Sequence, residues 1–154
     1  MIENLLITIR KRTIALIALA LSLFLFVSAC SRQPRYPAPP VRDGKVVIAV
    51  SDLAPETPRF YTYEFKNKPI SFFVIKMNGG VVSYLDACVT CYPRKLGYAH
   101  ENGRMACRTC NIQFSIYKLD KGIGGCYPIK LNGQTAGSAY EIPTALLEAE
   151  AGKF

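Results

Sequence analysis

Two C-x-x-C knuckles, Cys88-Val-Thr-Cys91 and Cys107-Arg-Thr-Cys110, stand fifteen residues apart. Each sets two thiols on one tight turn, within reach of a single metal ion. A second pair at this spacing closes a four-thiolate site across a hairpin-like loop. A fifth cysteine, Cys126, follows another gap of fifteen residues, inside Gly124-Gly125-Cys126-Tyr127-Pro128. The spacing suits an iron-sulfur cluster and a zinc ion equally well.

Other cysteine chemistries fit less well. Covalent haem needs a histidine directly after the second cysteine of a pair, and Tyr92 and Asn111 stand there instead. A thiol-disulfide oxidoreductase is a second class, since each pair could be a redox couple in an oxidising compartment. Neither pair, however, opens a helix after a strand, which is where a thioredoxin-like pair sits. A plain disulfide framework is a third class, but the cysteines after Cys30 are odd in number. The chain therefore reads as a redox or metal-binding protein with no catalytic residue assigned. Cys88, Cys91, Cys107 and Cys110 are the expected ligands, and Cys126 is an additional ligand or modulator. The lone histidine, His100, sits in a polar turn and reads as surface. Asp86 reads as a turn former that accepts backbone N–H groups of the first knuckle. Arg94, Lys95, Arg104 and Arg108 crowd the knuckles, where cations would offset thiolate charge.

The start of the chain sets the compartment. Arg10, Lys11 and Arg12 precede an apolar run over 13–27, which ends in Val27-Ser28-Ala29-Cys30. This is the layout of a secretory signal with a lipobox. The expected division is a signal peptide over 1–29, a lipidated Cys30 with a Pro-rich tether over 30–44, and a metal-binding or iron-sulfur β domain over 45–154. An uncleaved anchor is the alternative, although the run is short of the about 20 residues that span a bilayer. Either way the domain lies outside the cytoplasm, in the periplasm or at the cell surface, tied to a membrane. The tether (SRQPRYPAPPVRDG) could hold it about 40 Å from the bilayer if fully extended. Of the formal charge of +8, the signal segment holds three basic residues and Glu3, which leaves +6. These cations are scattered, so nucleic acid is not an expected partner; solubility and attraction to anionic lipid are the better reading.

The domain itself reads as all-β. Runs over 45–50, 59–65, 70–76 and 81–85 are rich in β-branched and aromatic residues. Asn67-Lys68-Pro69 separates the second and third, and Asn78-Gly79-Gly80 the third and fourth, where Asn-Gly would supply positive φ angles. Short strands are expected over 96–98, 103–106, 112–117, 129–131 and 139–142. Pro143 suits the first turn of a short C-terminal helix over 144–149, ended by Gly152.

Asp86-Ala87-Cys88-x-x-Cys91, Gly97-Tyr98, Cys107-x-x-Cys110-x-x-x-Phe114 and Gly124-Gly125-Cys126-x-Pro128-Ile129 together resemble the FtrD-like family. The resemblance covers roughly residues 45–150. It implies a membrane-associated iron-sulfur protein, with some members tied to iron uptake. The element order is also similar to a Rieske domain, where a hairpin, two metal-binding loops and a covering Gly/Pro loop follow one another. In that comparison the four knuckle cysteines take the ligand places and residues 124–128 form the cover. A small Rieske-like or rubredoxin-like sheet domain is the implied fold. Rieske centres use two cysteines and two histidines, so an all-cysteine set implies a lower potential and no histidine-linked proton coupling. The implied role is electron transfer or iron handling with a redox or metal-transport partner, and structural zinc is the competing cofactor.

Overall fold

The computed structural model describes residues 33–154, together with Arg10, Arg12 and Thr13. Apart from those three residues, the expected signal peptide lies outside the described residues, as does the expected lipidation site at Cys30. Among the described residues no helix is long and apolar enough to cross a membrane.

The chain from Gln33 onward forms eleven strands and one short helix. The first five strands are β1 (Val41–Arg42), β2 (Lys45–Ala49), β3 (Arg59–Phe65), β4 (Lys68–Met77) and β5 (Gly80–Cys88). Next come β6 (Tyr98–Glu101), β7 (Arg104–Cys107), β8 (Gln113–Ser115), β9 (Pro128–Leu131), β10 (Gln134–Ala136) and β11 (Ala139–Pro143). Helix α1 (Thr144–Ala149) ends the series. All named strand pairs are antiparallel, in three sheets ordered β1-β2-β11-β10, β3-β4-β5-β9 and β6-β7-β8.

The central sheet is covered on both faces, and its middle strand shows why. Strand β4 carries the unbroken run Ile70-Ser71-Phe72-Phe73-Val74-Ile75, all of it buried. Successive side chains of a strand point to opposite faces. Ile70, Phe72 and Val74 therefore enter one core with Val46, Ile48, Leu85, Tyr140, Ile142 and Leu147. Phe73 and Ile75 enter a second core with Tyr84, Tyr98, Met105, Phe114 and three cysteines, Cys88, Cys107 and Cys126. The first core is closed by β2, β11 and α1; the second is closed by the small β6-β7-β8 sheet. Half-buried antiparallel strands alternate apolar and polar residues, whereas a strand covered on both sides does not.

The hairpins follow from turn chemistry, with one shift from expectation. Phe65 pairs with Lys68 across Lys66-Asn67, both at positive φ (49° and 62°), the mirror-image turn that suits strand twist. Met77 pairs with Gly80 across Asn78-Gly79 as expected, but the positive φ falls on Gly80 (125°), not on the Asn-Gly pair. The strands expected over 96–98 and 103–106 lie slightly later, at β6 and β7. The expected strand over 112–117 breaks after Ser115, whose hydroxyl accepts the Tyr117 N–H and starts a 3-10 turn. Pro143 ends β11 and stands at the N-cap of α1, and a 3-10 turn over Ala151–Lys153 carries the chain past Gly152.

The expected tether departs most from the structure. From Gln33 on it lies against the domain. Tyr36 N–H donates to Thr62 Oγ1 (3.0 Å), Thr62 N–H donates to the Pro37 carbonyl (3.1 Å), and Val47 N–H donates to the Pro40 carbonyl (2.9 Å). The Tyr36 ring stacks on Phe60 at 4.8 Å. Proline leaves this stretch its carbonyls, which are the groups that dock it.

Phe72 and Phe73 are both fully buried and serve opposite cores, so their truncation separates fold from site. Each Phe→Ala change is expected to lower unfolding stability by about 3–5 kcal/mol, read from denaturant curves. Phe73→Ala should also weaken metal retention, because its core contains three of the cysteines. Phe72→Ala should leave retention near that of the parent protein at temperatures where the domain stays folded.

Candidate metal centre

Three loops deliver five thiols to one end of the second core. The first knuckle leaves β5 at Cys88, where the register against β9 shifts between Tyr84 and Cys88. Cys91 then precedes a 3-10 turn over Tyr92–Arg94, closed by Arg94 N–H on the Cys91 carbonyl (3.0 Å). The second knuckle leaves β7 at Cys107. Asn111 N–H donates to the Cys107 carbonyl (2.8 Å), Cys107 N–H donates to the Ile112 carbonyl (3.0 Å), and Asn111 takes a positive φ of 58°. Cys126 ends the glycine-rich loop, where it and Ile123 exchange backbone hydrogen bonds (2.9 and 3.2 Å). A Cβ at Gly122, whose φ is 54°, would collide with the Cys126 carbonyl, so this turn requires glycine.

Main-chain bonds hold the loops to each other. Val89 N–H donates to the Tyr127 carbonyl (3.0 Å), and Thr90 Oγ1 donates to the Gly125 carbonyl (3.3 Å), so the glycine loop is fastened over the first knuckle. Arg108 N–H donates to the Gly97 carbonyl (3.0 Å), which fastens the second knuckle to the strand entry before Tyr98.

The sulfurs of Cys88, Cys91, Cys107 and Cys126 all lie within 4.8 Å of one another. Cys126 Sγ is 3.5 Å from Cys88 Sγ and 3.4 Å from Cys110 Sγ. All five thiols are free. The structure thus groups Cys126, expected only as an additional ligand or modulator, with Cys88, Cys91 and Cys107, whereas Cys110, expected as the fourth ligand, stands outside that group at the exposed rim, next to Cys126. Tetrahedral thiolate sites hold sulfur about 2.3 Å from the metal, which separates the sulfurs by about 3.8 Å. The donor set therefore fits a metal or cluster in its chemistry, and its spacing matches a single tetrahedral ion.

The thiols are electrostatically unequal. Burial acts to raise Cys88, but hydrogen bonds from the Thr90 and Tyr98 hydroxyls and from the Cys91 and Thr90 N–H groups outweigh it and hold Cys88 at about 6. Burial and the neighbouring sulfurs of Cys88 and Cys107 push Cys91 up to about 12, against the Thr90 hydroxyl. Burial also raises Cys107, and burial with its contacts to Cys110 and Cys88 raises Cys126. Cys110, buried least, is lowered by the Ile112 N–H and by the Cys126 thiol. Burial sets the upward directions and hydrogen-bond donors the downward ones, and the expected nearby cations are not among the main causes. Arg108 instead points to Tyr36 and Leu96, and Arg104 to Gln113.

Other residues differ from expectation. Asp86 is not in a turn: it is buried inside β5, and its Oδ1 accepts the Tyr98 N–H (2.6 Å) rather than a knuckle amide. Burial raises its carboxyl to about 6 even against that bond and one from Gln33. A Cβ at Gly97 would lie 2.5 Å from Asp86 Oδ2, which accounts for glycine before Tyr98. His100 lies on β6, outside the group of sulfurs, with a buried Nε2 that has no hydrogen-bond partner among the described residues. Tyr98 and Thr90 were not singled out as site residues from the sequence. The Tyr98 hydroxyl reaches to 4.0 Å of Cys126 Sγ, and Thr90 Oγ1 stands 3.5 Å from Cys88 Sγ and 3.7 Å from Cys91 Sγ. Their signal was positional: one follows the glycine of the Gly-Tyr pair, and the other is the shared threonine of both knuckles.

The sequence model of the FtrD-like family, described as membrane iron-sulfur containing proteins, matches residues 53–154. A solved structure described as the small subunit of an NADPH nitrite reductase is 18% identical. Its alignment covers 64% of this chain and 96% of that one, with a TM-score of 0.37. No curated protein matches the chain.

Cys110 is exposed and its thiol is lowered, whereas Cys126 is buried and raised. Alkylating agents react with exposed thiolates. In reduced, metal-free protein at pH 7, a limiting amount of iodoacetamide should therefore modify Cys110 first and Cys126 last. Peptide mapping by mass spectrometry reads the order.

Proposed function

The chain belongs to the FtrD-like family of membrane iron-sulfur proteins, and from that premise we propose that it transfers electrons or handles iron outside the cytoplasm while anchored to a membrane. The gathering of free cysteine thiols at one end of a chain from an iron-sulfur family carries this reading. Cys88, Cys91 and Cys107 are the constant ligands, and the fourth place is shared between Cys110 and Cys126. An iron-sulfur cluster bound there would supply one-electron chemistry. The protein's own part is to hold the sulfurs, donate hydrogen bonds to them from Tyr98 and Thr90, and keep water from their buried side. The exposed Cys110 edge is where a redox or metal-transport partner would approach. The Rieske-like order of hairpin, two ligand loops and glycine cover supports the same assignment.

A single tetrahedral ion, with zinc the leading candidate, is the second reading. The sulfur spacing favours it, because the contacts lie near the about 3.8 Å edge of a mononuclear tetrathiolate site. Anaerobic purification separates the two. Iron with acid-labile sulfide, and a visible spectrum bleached by dithionite, is the expected result. Zinc with no chromophore would leave a structural site.

Two further outcomes are expected. Cys107→Ser should lose the metal and lower the melting temperature, since the site ties three loops and contributes to folding. Metal retention and stability equal to the parent protein would remove Cys107 from the ligand set. The lipobox supports acylation of Cys30 as the anchor. Mass spectrometry of the membrane fraction should find a lipid-bearing N-terminal peptide beginning at Cys30, and an intact Met1 start would overturn it.

A further inference from the structure

We propose that residues 33–37 form a strap that sets the position of both knuckles, with Gln33 and Tyr36 as its positioning residues. The proposal rests on the reading of the cysteines as metal ligands. The strap lies outside the segment that the family accounts for, which begins at residue 53.

Gln33 grips the entrance to the first knuckle. Its Nε2 donates both to the Asp86 carbonyl (2.7 Å) and to Asp86 Oδ2 (2.9 Å). Asp86 stands two residues before Cys88 and is 1% exposed. Its other oxygen accepts the Tyr98 N–H, and the Gly97 carbonyl next to that amide accepts the Arg108 N–H inside the second knuckle. A continuous hydrogen-bonded path thus runs from Gln33 through Asp86 and the Gly97-Tyr98 pair to the segment between Cys107 and Cys110.

Tyr36 meets the same path from its far end. Arg108 Nη1 donates to the Tyr36 hydroxyl (3.4 Å) and to the Leu96 carbonyl (3.3 Å). The strap that presents both side chains is itself fixed, because Thr62 bonds its backbone on either side of Tyr36 and Thr62 Oγ1 shares a hydrogen bond with Ser71 (3.1 Å). A buried carboxylate that loses a donor is costly, so its surroundings rearrange to find another. Here those surroundings are the two knuckle entries. Ser31 and Arg32 alone separate Gln33 from Cys30 in the sequence, a path of about 10 Å at full extension. A lipid anchor at Cys30 would thus pull on the element that aligns the metal ligands.

The test uses the full chain loaded with cobalt(II), whose thiolate absorption bands report both geometry and metal loss. Excess EDTA then removes the metal. Gln33→Met keeps the volume and removes the donors; it should release cobalt about tenfold faster and shift the thiolate bands, in line with partners that orient ligands from outside the coordination sphere. Arg35→Ala, on the strap but exposed and paired only with Glu64 (3.5 Å), should behave as the parent protein does. If Gln33→Met matches the parent protein in both rate and bands, the strap only packs, and the proposal fails. Amide hydrogen exchange in metal-free protein judges the strap independently of the metal. Faster exchange at Tyr98 and Arg108 in Gln33→Met supports it, and unchanged exchange overturns it. A parent protein that takes up no cobalt would instead overturn the ligand reading, while the exchange measurement still decides for or against the strap.

Discussion

Five thiols meet at one point, and they cannot all be ionised there without a cation. The hydroxyls of Thr90 and Tyr98 and two backbone N–H groups stabilise one thiolate, at Cys88. Burial, with the neighbouring sulfurs, opposes ionisation of three others: Cys91 is pushed up to about 12, and Cys107 and Cys126 are raised as well, while Cys110 at the rim is lowered. A metal replaces these protons with its own charge, so its binding must release protons, and its hold must weaken as pH falls.

The architecture supplies this convergence with backbone, not sulfur. Cys88 ends β5, Cys126 stands two residues before the neighbouring strand β9, and their loops are joined at Val89 and Tyr127. Cys107 arrives from a separate small sheet, whose attachment to the first knuckle passes through Gly97 and the buried Asp86. Main-chain hydrogen bonds between the loops thus hold them together independently of the sulfurs. A second core beneath them, built on Phe73, Tyr98 and Phe114 in tilted and edge contacts, gives the sulfurs a dry floor. That floor explains the double-faced central sheet. One core makes the domain, and the other makes the platform.

Much of this was legible in the sequence, for identifiable reasons. Strand identity follows from apolar and β-branched runs, and the knuckle spacing points to three of the four grouped sulfurs, while the place of Cys126 among them, ahead of Cys110, depends on how the glycine loop folds over the first knuckle. The unbroken run in β4 was read as a strand, but its burial on both faces needs the third sheet, whose short strands carry little pattern of their own. The Pro-rich segment was misread because composition reports that a chain is extended, not whether something accepts its hydrogen bonds. Asp86 was misplaced for a related reason. Next to a knuckle a carboxylate suggests a turn, but its partner, the Tyr98 amide, lies twelve residues away and is invisible to local reasoning. The small strands β1 and β10 escaped notice because they are defined by pairing alone.

The same electrostatics bear on how five sulfurs share four places. By distance, Cys126 completes the compact set with Cys88, Cys91 and Cys107. By charge, Cys110 is the easier anion: it is exposed and lowered, while Cys126 is buried and raised. If Cys110 ligates, Cys126 remains as a buried neutral thiol, which protein interiors accommodate readily. If Cys126 ligates, Cys110 is left as a reactive group at the surface. The sulfurs are 3.4 Å apart, so exchange between the two states requires the movement of one side chain and the transfer of one proton between neighbours. The glycine loop that carries Cys126 is fastened to the first knuckle at Thr90, which sets Cys126 beside both Cys88 and Cys110. The arrangement thus offers two neighbouring sulfurs, one buried and one exposed, for a single outermost place.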